Sequence, residues 1–366
     1  MDIRRSLLLL TISVASGTAA ANDIGVCATC SYRTIQSAVN SAANGDLITI
    51  AAGRYTENVT IQGKSLTLQG ATSGITEVDA AGRGPVFTLG TGVAGGINYL
   101  IEIHNLTIAR GNHITGTLVG GGVQVRSGSY VHLYNSTITQ NYAKFGAGVG
   151  IDSPGAPVSL ISGCLIAGNT NSGSYATAAG FGGGISLGQG SSADIEGSSV
   201  VNNVSNDGGG IYTYPSSTLT VGNSVISGNT ANTYRSPTGP DAGTGGGLET
   251  NGSVNLSGDT ISQNVAPGVQ GGGGAWLWAH DGDILNVSNT VITRNTLITS
   301  DNPLSEGEGG GIGILGEAAQ LNLTNVYIVE NQYGAGLWSD AATVKLTNTT
   351  IKDNVGGNNC SPSGCT

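Results

Sequence analysis

Ala193-Asp-Ile-Glu-Gly-Ser-Ser-Val-Val-Asn-Asn-Val-Ser-Asn-Asp-Gly-Gly-Gly-Ile-Tyr-Thr213 decides the fold. It holds an alternating apolar strand, then Val200-x-x-Asn203, then the glycine cluster Gly208–Gly210, then Ile211-Tyr-Thr213. The same phrase recurs along most of the chain. Its Asn copies are Asn141, Asn169, Asn203, Asn229, Asn264, Asn295, Asn331 and Asn354, each three residues after Ile or Val. A looser copy stands at Ile108/Asn112. Glycine clusters at Gly182–Gly184, Gly245–Gly247, Gly271–Gly274 and Gly309–Gly311 fall between the Asn copies. Copies lie between 23 and 36 residues apart, the period of a solenoid.

Each copy predicts three strands. One precedes the Ile-x-x-Asn segment, as Leu219-Thr-Val221 or Leu321-Asn-Leu323; the second is that segment; the third follows the glycines, as Leu248-Glu-Thr250. Apolar residues alternate along them, the mark of a half-buried strand. No helix pattern interrupts the repeats, so successive coils must pair in parallel. The fold class expected is all-β: a right-handed parallel β-helix of about ten to twelve coils. The Asn residues suit a corner ladder from coil to coil, and the glycines a tight corner. Over Thr34–Asn44, Ile35, Ala38, Val39 and Ala42 recur at helical spacing and predict a short N-terminal capping helix.

Arg4-Arg5, the apolar run from Leu7 and Ala19-x-Ala21 read as a signal peptide over residues 1–21, with 22–366 as a single β-helix domain. The apolar run is too short to span a bilayer, so no membrane insertion is expected and the location is secreted or periplasmic. Formal net charge is −10, which argues against nucleic acid as a partner. In an oxidising compartment Cys27/Cys30 and Cys360/Cys365 would each close a small disulfide loop, leaving Cys164 as an inert core thiol.

The segments Tyr32–Val39, Gly45–Ile50 and Gly53–Asn58 resemble the opening of pectin-lyase-like β-helix proteins, among them pectin methylesterases and periplasmic copper-associated β-helix proteins. The glycine cluster with Ile-x-x-Asn is similar to the repeats of chlamydial polymorphic outer membrane proteins, with Gly-Gly-Gly and Ile or Val in place of Gly-Gly-Ala and Phe. The resemblance implies the fold and little of the function. The catalytic segments of methylesterases, the calcium and arginine motifs of pectate lyases and the paired-Asp motifs of polygalacturonases have no match here.

Chemistry must therefore be sought on the outer faces. Counting outward positions after the glycines gives Gln124, Gly150, Ser186, Tyr212, Glu249, Trp276, Gly313 and Trp338, with Arg126, Asp152, Tyr214, Trp278 and Asp340 in the next outward row. All three tryptophans fall on this face. Exposed rings with interleaved carboxylates suit a sugar chain. The expected partner is a polysaccharide, held by Tyr212, Tyr214, Trp276, Trp278, His280, Trp338 and Arg126. If the protein is an enzyme, a polysaccharide lyase or glycoside hydrolase, Glu249 and Asp281 are the acid–base pair. The rival reading is a non-catalytic surface, adhesion or structural protein. A second acidic set, Asp207, Asp241, Glu306 and Glu308, is expected along the opposite edge, where calcium is the cofactor it would suit; the residues leave the cofactor open.

Overall fold

In the computed structural model the described residues are 21–114, 119–171, 180–232, 243–267, 271–280, 282–298, 309–316, 320–340 and 343–361. The signal-peptide expectation lies outside them save for Ala21. They form a parallel β-helix of four sheets: one of 12 strands, two of 11 and one of 7. The 12-stranded sheet runs from Asp23–Val26 to Thr343–Thr347 and carries the strand before each Ile-x-x-Asn segment. One 11-stranded sheet holds the Ile-x-x-Asn strands, the other the strands after the glycines. The fourth sheet was not expected. It consists of two-residue strands directly after the Asn corner, such as Val204–Ser205 and Thr230–Ala231, where the chain stays extended briefly before the glycines.

Inward-facing apolar residues stack into one core. Val200, Ile226, Ile261, Ile292 and Ile328 are fully buried in one column, and Leu248, Leu277 and Ile314 in another sheet. Within the sheet that follows the glycines, Thr213 and Thr250 are also fully buried and face each other with their hydroxyls 2.8 Å apart. The first coil is covered by the helix Ile35–Ser41, shorter than the sequence suggested. Thr34 caps it, and the Glu57 carboxylate accepts the N–H groups of Ile35 and Gln36 at 2.8 and 2.9 Å. Those N–H groups have no partner within the helix, so a carboxylate there both satisfies them and opposes the helix dipole.

The Asn residues form an unbroken buried ladder. Asn229 is representative: its Nδ2 donates to Asn264 Oδ1 at 3.0 Å and to the Val200 carbonyl at 2.8 Å, and its Oδ1 accepts the backbone N–H and Nδ2 of Asn203, both at 3.0 Å. All side-chain donors and acceptors are thereby used. Rungs repeat from Asn141 to Asn354, where Asn359 takes the next place. The earlier copy departs from the pattern: Gly111, not Asn112, donates its N–H to Asn141.

The glycines answer to the ladder. A Cβ on Gly247 would stand 2.6 Å from the Gly274 carbonyl and 2.8 Å from Asn264 Nδ2; at Gly210, the Gly247 carbonyl and Asn229 Nδ2 would be as tight. Only a residue without a side chain fits between one coil's corner and the next. Of the two expected terminal disulfides, Cys27–Cys30 is formed. Cys360 is in a disulfide, while Cys365 lies outside the described residues. Cys164 is buried at the corner before its strand, and burial pushes its thiol up to about 11.

Replacing Asn229 with Leu should strand the Asn203 donors and the Val200 carbonyl. The expected cost is about 3 kcal/mol, read as a lowered urea midpoint; an unchanged midpoint would show that the ladder does not stabilise the coil stack.

Candidate functional site

Register confirms the outward row residue by residue. Gln124 pairs with Gly150, Gly150 with Ser186, Ser186 with Tyr212, Tyr212 with Glu249, Glu249 with Trp276, Trp276 with Gly313, and Gly313 with Trp338. Exposure is where the expectation fails. Tyr212 is 8 % exposed, Trp276 4 % and Glu249 5 %. Trp338 and Tyr214 are half-buried; Trp278, at 45 %, stands out from the surface.

The cover comes partly from the chain itself. Gly245 has φ +61°, and a Cβ there would lie 2.7 Å from the Glu249 Cβ. The corner therefore folds back over the residue four places later, a turn that glycine adopts without steric cost. At Gly146, Gly182, Gly208 and Gly245, all with φ between +56° and +68°, this lays the residue before the corner glycine over the outward row. Phe145 bridges to Phe181 and Phe181 to Asp207, while Gly208 N–H donates to the Thr244 carbonyl, so Phe145, Phe181, Asp207 and Thr244 form an outer column. Phe181 stacks on Tyr212 with ring centroids 4.5 Å apart, and Tyr214 meets Phe181 edge-on at 5.9 Å.

Trp276 is buried by a different device. Gly313, its partner on the next coil, leaves room for the indole: a Cβ there would stand 2.5 Å from two ring carbons. The Trp276 ring lies across that gap and stacks on Trp338, centroids 5.7 Å apart and planes 15° from parallel.

Glu249 does face a second carboxylate, and it is Asp207. Asp281 lies outside the described residues. Thr244 joins the two: its backbone N–H donates to Asp207 Oδ1 at 3.1 Å, and its hydroxyl contacts Glu249 Oε2 and lies 3.5 Å from Asp207 Oδ1. Burial raises the Glu249 carboxyl well above the ordinary glutamate range, the negative charge of Asp207 adds to it, and contacts to Thr244 and Asn251 oppose it. Tyr214 is pushed up to about 12 by burial, then by Asp152 and Asp207. Asp207 thus belongs to the aromatic face and not to an opposite edge; Asp241, Glu306 and Glu308 lie outside the described residues. The sequence signal for Asp207 was its place directly before a corner glycine, which is also where Phe145 and Phe181 stand.

The remaining expected residues are dispersed. Arg126 is half-buried, its guanidinium beside Gly92, and its row reaches Trp278 only five coils later, about 24 Å at the spacing of neighbouring strands. His280 is exposed with its ring 6.3 Å from Trp278, and its N–H donates to Asp283 at 2.9 Å. Among the described residues no group of three or more His, Cys, Asp or Glu is arranged to hold a metal, and no helix is long and apolar enough to cross a membrane. A separate groove of about 390 Å³ near the N-terminal coils, lined by residues such as Thr76, Asn105, Thr107 and Asn135, has neither a carboxylate nor an aromatic ring in its walls.

The family model for the right-handed β-helix region matches residues 162–351, more than half of the chain. The chain belongs to the right-handed β-helix family. Among solved structures it is similar to a pectin methylesterase from carrot, at 13% identity over 92% of this chain and 87% of that one, with a TM-score of 0.32. So distant a likeness transfers no residue of that enzyme. No curated protein matches the chain.

Gly313→Val should drive the Trp276 indole off its seat. The expected result is a red-shifted tryptophan emission and a lower melting temperature; an unchanged spectrum would show that the ring does not depend on that gap.

Proposed function

We propose that this β-helix protein binds a polysaccharide outside the cytoplasm, along the sheet that follows the glycines. The observation that carries this reading is Trp278. It is an exposed indole, 45 % accessible, on the same strand as Trp276, whose stack with Trp338 two coils on holds the sheet's outer face. A flat ring held by a rigid strand is a surface on which the C–H face of a sugar can pack, at little cost in side-chain entropy. His280, Asp283 and, two coils on, Asp340 border it with groups that exchange hydrogen bonds with hydroxyls. The disulfide Cys27–Cys30 supports an oxidising compartment, in keeping with the signal-like N-terminus.

Binding is favoured over cleavage because of where Glu249 sits. A general acid must come within hydrogen-bond reach of the glycosidic oxygen. At 5 % exposure, Glu249 lies beneath the surface a polymer would touch. Tyr212 and Trp276 change role accordingly, from sugar contacts to the packing that supports Trp278.

Retention on a panel of insoluble polysaccharides, with affinity electrophoresis for soluble ones, tests the reading. Trp278→Ala should weaken binding at least about tenfold, roughly 1.4 kcal/mol, and leave the melting temperature nearly unchanged. Trp276→Ala should instead cost about 3–5 kcal/mol of stability. Failure of the wild-type protein to bind any glycan, or equal binding by Trp278→Ala, would overturn the proposal. Release of reducing ends, or of ultraviolet-absorbing unsaturated sugars, would replace binding with hydrolysis or lysis.

A further inference from the structure

The second outward row of the sheet after the glycines carries a period that a single exposed indole does not explain. Extended one place beyond the pairs Ile151–Leu187–Thr213–Thr250–Leu277, the register reads Asp152, Gly188, Tyr214, Asn251, Trp278, Leu315, Asp340, one residue per coil. Prominent side chains stand on every second coil: a carboxylate, a phenol ring, an indole and a carboxylate. The positions between them are low. Gly188 has no side chain, Asn251 is buried with its Nδ2 donating to the Thr213 carbonyl at 3.1 Å, and Leu315 is half-buried.

The prominent positions are open to solvent and the two rings are held in place. Tyr214 packs edge-on against Phe181 and Tyr212, with ring centroids 5.9 and 5.1 Å away, and stays half-exposed. Trp278 is exposed on the strand that Trp276 anchors. Asp152 and Asp340 are exposed, and Asp152 leans into the gap at Gly188, where a Cβ would stand 2.7 Å from its Oδ1. Tyr214 and Trp278 thus lie two coils apart, about 9.6 Å along the solenoid axis, and Asp152 and Asp340 six coils apart, about 29 Å.

A two-coil period selects among glycan chains. In an extended β-1,4-linked chain each sugar is turned over relative to the one before, so the same face recurs once per disaccharide, and that repeat has nearly the length of two coils. Two sugars separated by one residue then lay the same C–H face on Tyr214 and Trp278, while the sugar between them crosses the low position at Asn251. α-1,4-Glucans and β-1,3-glucans wind, and their faces do not return in line at this spacing. Charge narrows the class further. The row from Asp152 to Asp340 holds no lysine or arginine, and Asp283 adds a carboxylate in the turn after Trp278. The cation of the row, Arg126, stands one coil before Asp152 with its guanidinium against Gly92, on the side away from Tyr214. A uronate on this row would meet like charge, which disfavours it.

We propose that Asp152, Tyr214, Trp278 and Asp340 form a track for an unbranched β-1,4-linked glycan without acidic groups, lying parallel to the solenoid axis. Alternate sugars sit on the two rings, and the flanking carboxylates accept hydrogen bonds from hydroxyls further along the chain. The track rests on the reading of Trp278 as a glycan platform and adds to it a second ring, the alignment of the chain and its linkage.

Calorimetric titration with cello-, xylo-, manno- and chito-oligosaccharides, from disaccharide to pentasaccharide, tests the track, with malto-, laminari- and galacturono-oligosaccharides alongside. A trisaccharide is the shortest chain that reaches both rings. In at least one β-1,4-linked series affinity should therefore rise about threefold to tenfold from disaccharide to trisaccharide, and rise again at the pentasaccharide, which reaches Asp340. Tyr214→Ala should remove the first rise and leave disaccharide binding in place, and Tyr214→Phe, which keeps the ring, should retain that rise. Asp340→Ala, at an exposed position, should remove the second rise alone and keeps the test open if Tyr214→Ala does not fold. A ligand that depends on Trp278 but is α-1,4-linked, β-1,3-linked or a galacturonide, or that shows no step at the trisaccharide, would overturn the track and leave the platform reading standing. Absence of binding to every glycan would defeat the platform reading, and the track with it.

Discussion

The stack of amides from Asn141 to Asn354 is the constraint on which the rest of the structure depends. Each rung spends its whole hydrogen-bonding capacity on neighbouring coils, so no rung can shift by one residue without leaving buried donors and acceptors unmatched. The ladder also dictates the glycines, since the third residue of a cluster lies where any Cβ would strike the ladder amide. It therefore fixes the register of the adjacent sheet, and that register decides which side chains meet on the outer face.

This explains which features could be read from the chain. The Ile-x-x-Asn spacing and the glycine clusters state the ladder and its packing partner directly, and alternation states which residues point inward. The order of the outward row from Gln124 to Trp338 followed by counting. What alternation does not carry is the depth of an outward residue. Tyr212, Glu249 and Trp276 point outward and are nonetheless covered: the first two lie beneath the turned-back corner, and the third has found a gap at Gly313 on the neighbouring coil. Arg126 shares the row of Trp278, but five coils separate the two. A place before the glycines suggests a distant edge for Asp207, yet preceding them is what brings it over the row.

The outer face thus has two layers with different work. The lower layer, Tyr212, Glu249 and Trp276, is packed, with the Glu249 carboxyl pushed above the ordinary glutamate range by burial and then by Asp207. The upper layer meets solvent at Trp278, His280 and Asp340. A polymer can reach the upper layer and not the lower, which separates recognition from any acid held beneath it.

Hydrogen exchange on the native protein tests the ladder most directly. The backbone N–H groups of Asn169, Asn203, Asn229, Asn264 and Asn295 each donate to a buried amide oxygen, so they should be among the slowest to exchange, opening only when coils separate. The outer Asn stack that includes Asn289, Asn325 and Asn348 lies at the exposed corner and should exchange faster. Equal exchange at the two corners would contradict the claim that the buried ladder fixes the register of this β-helix.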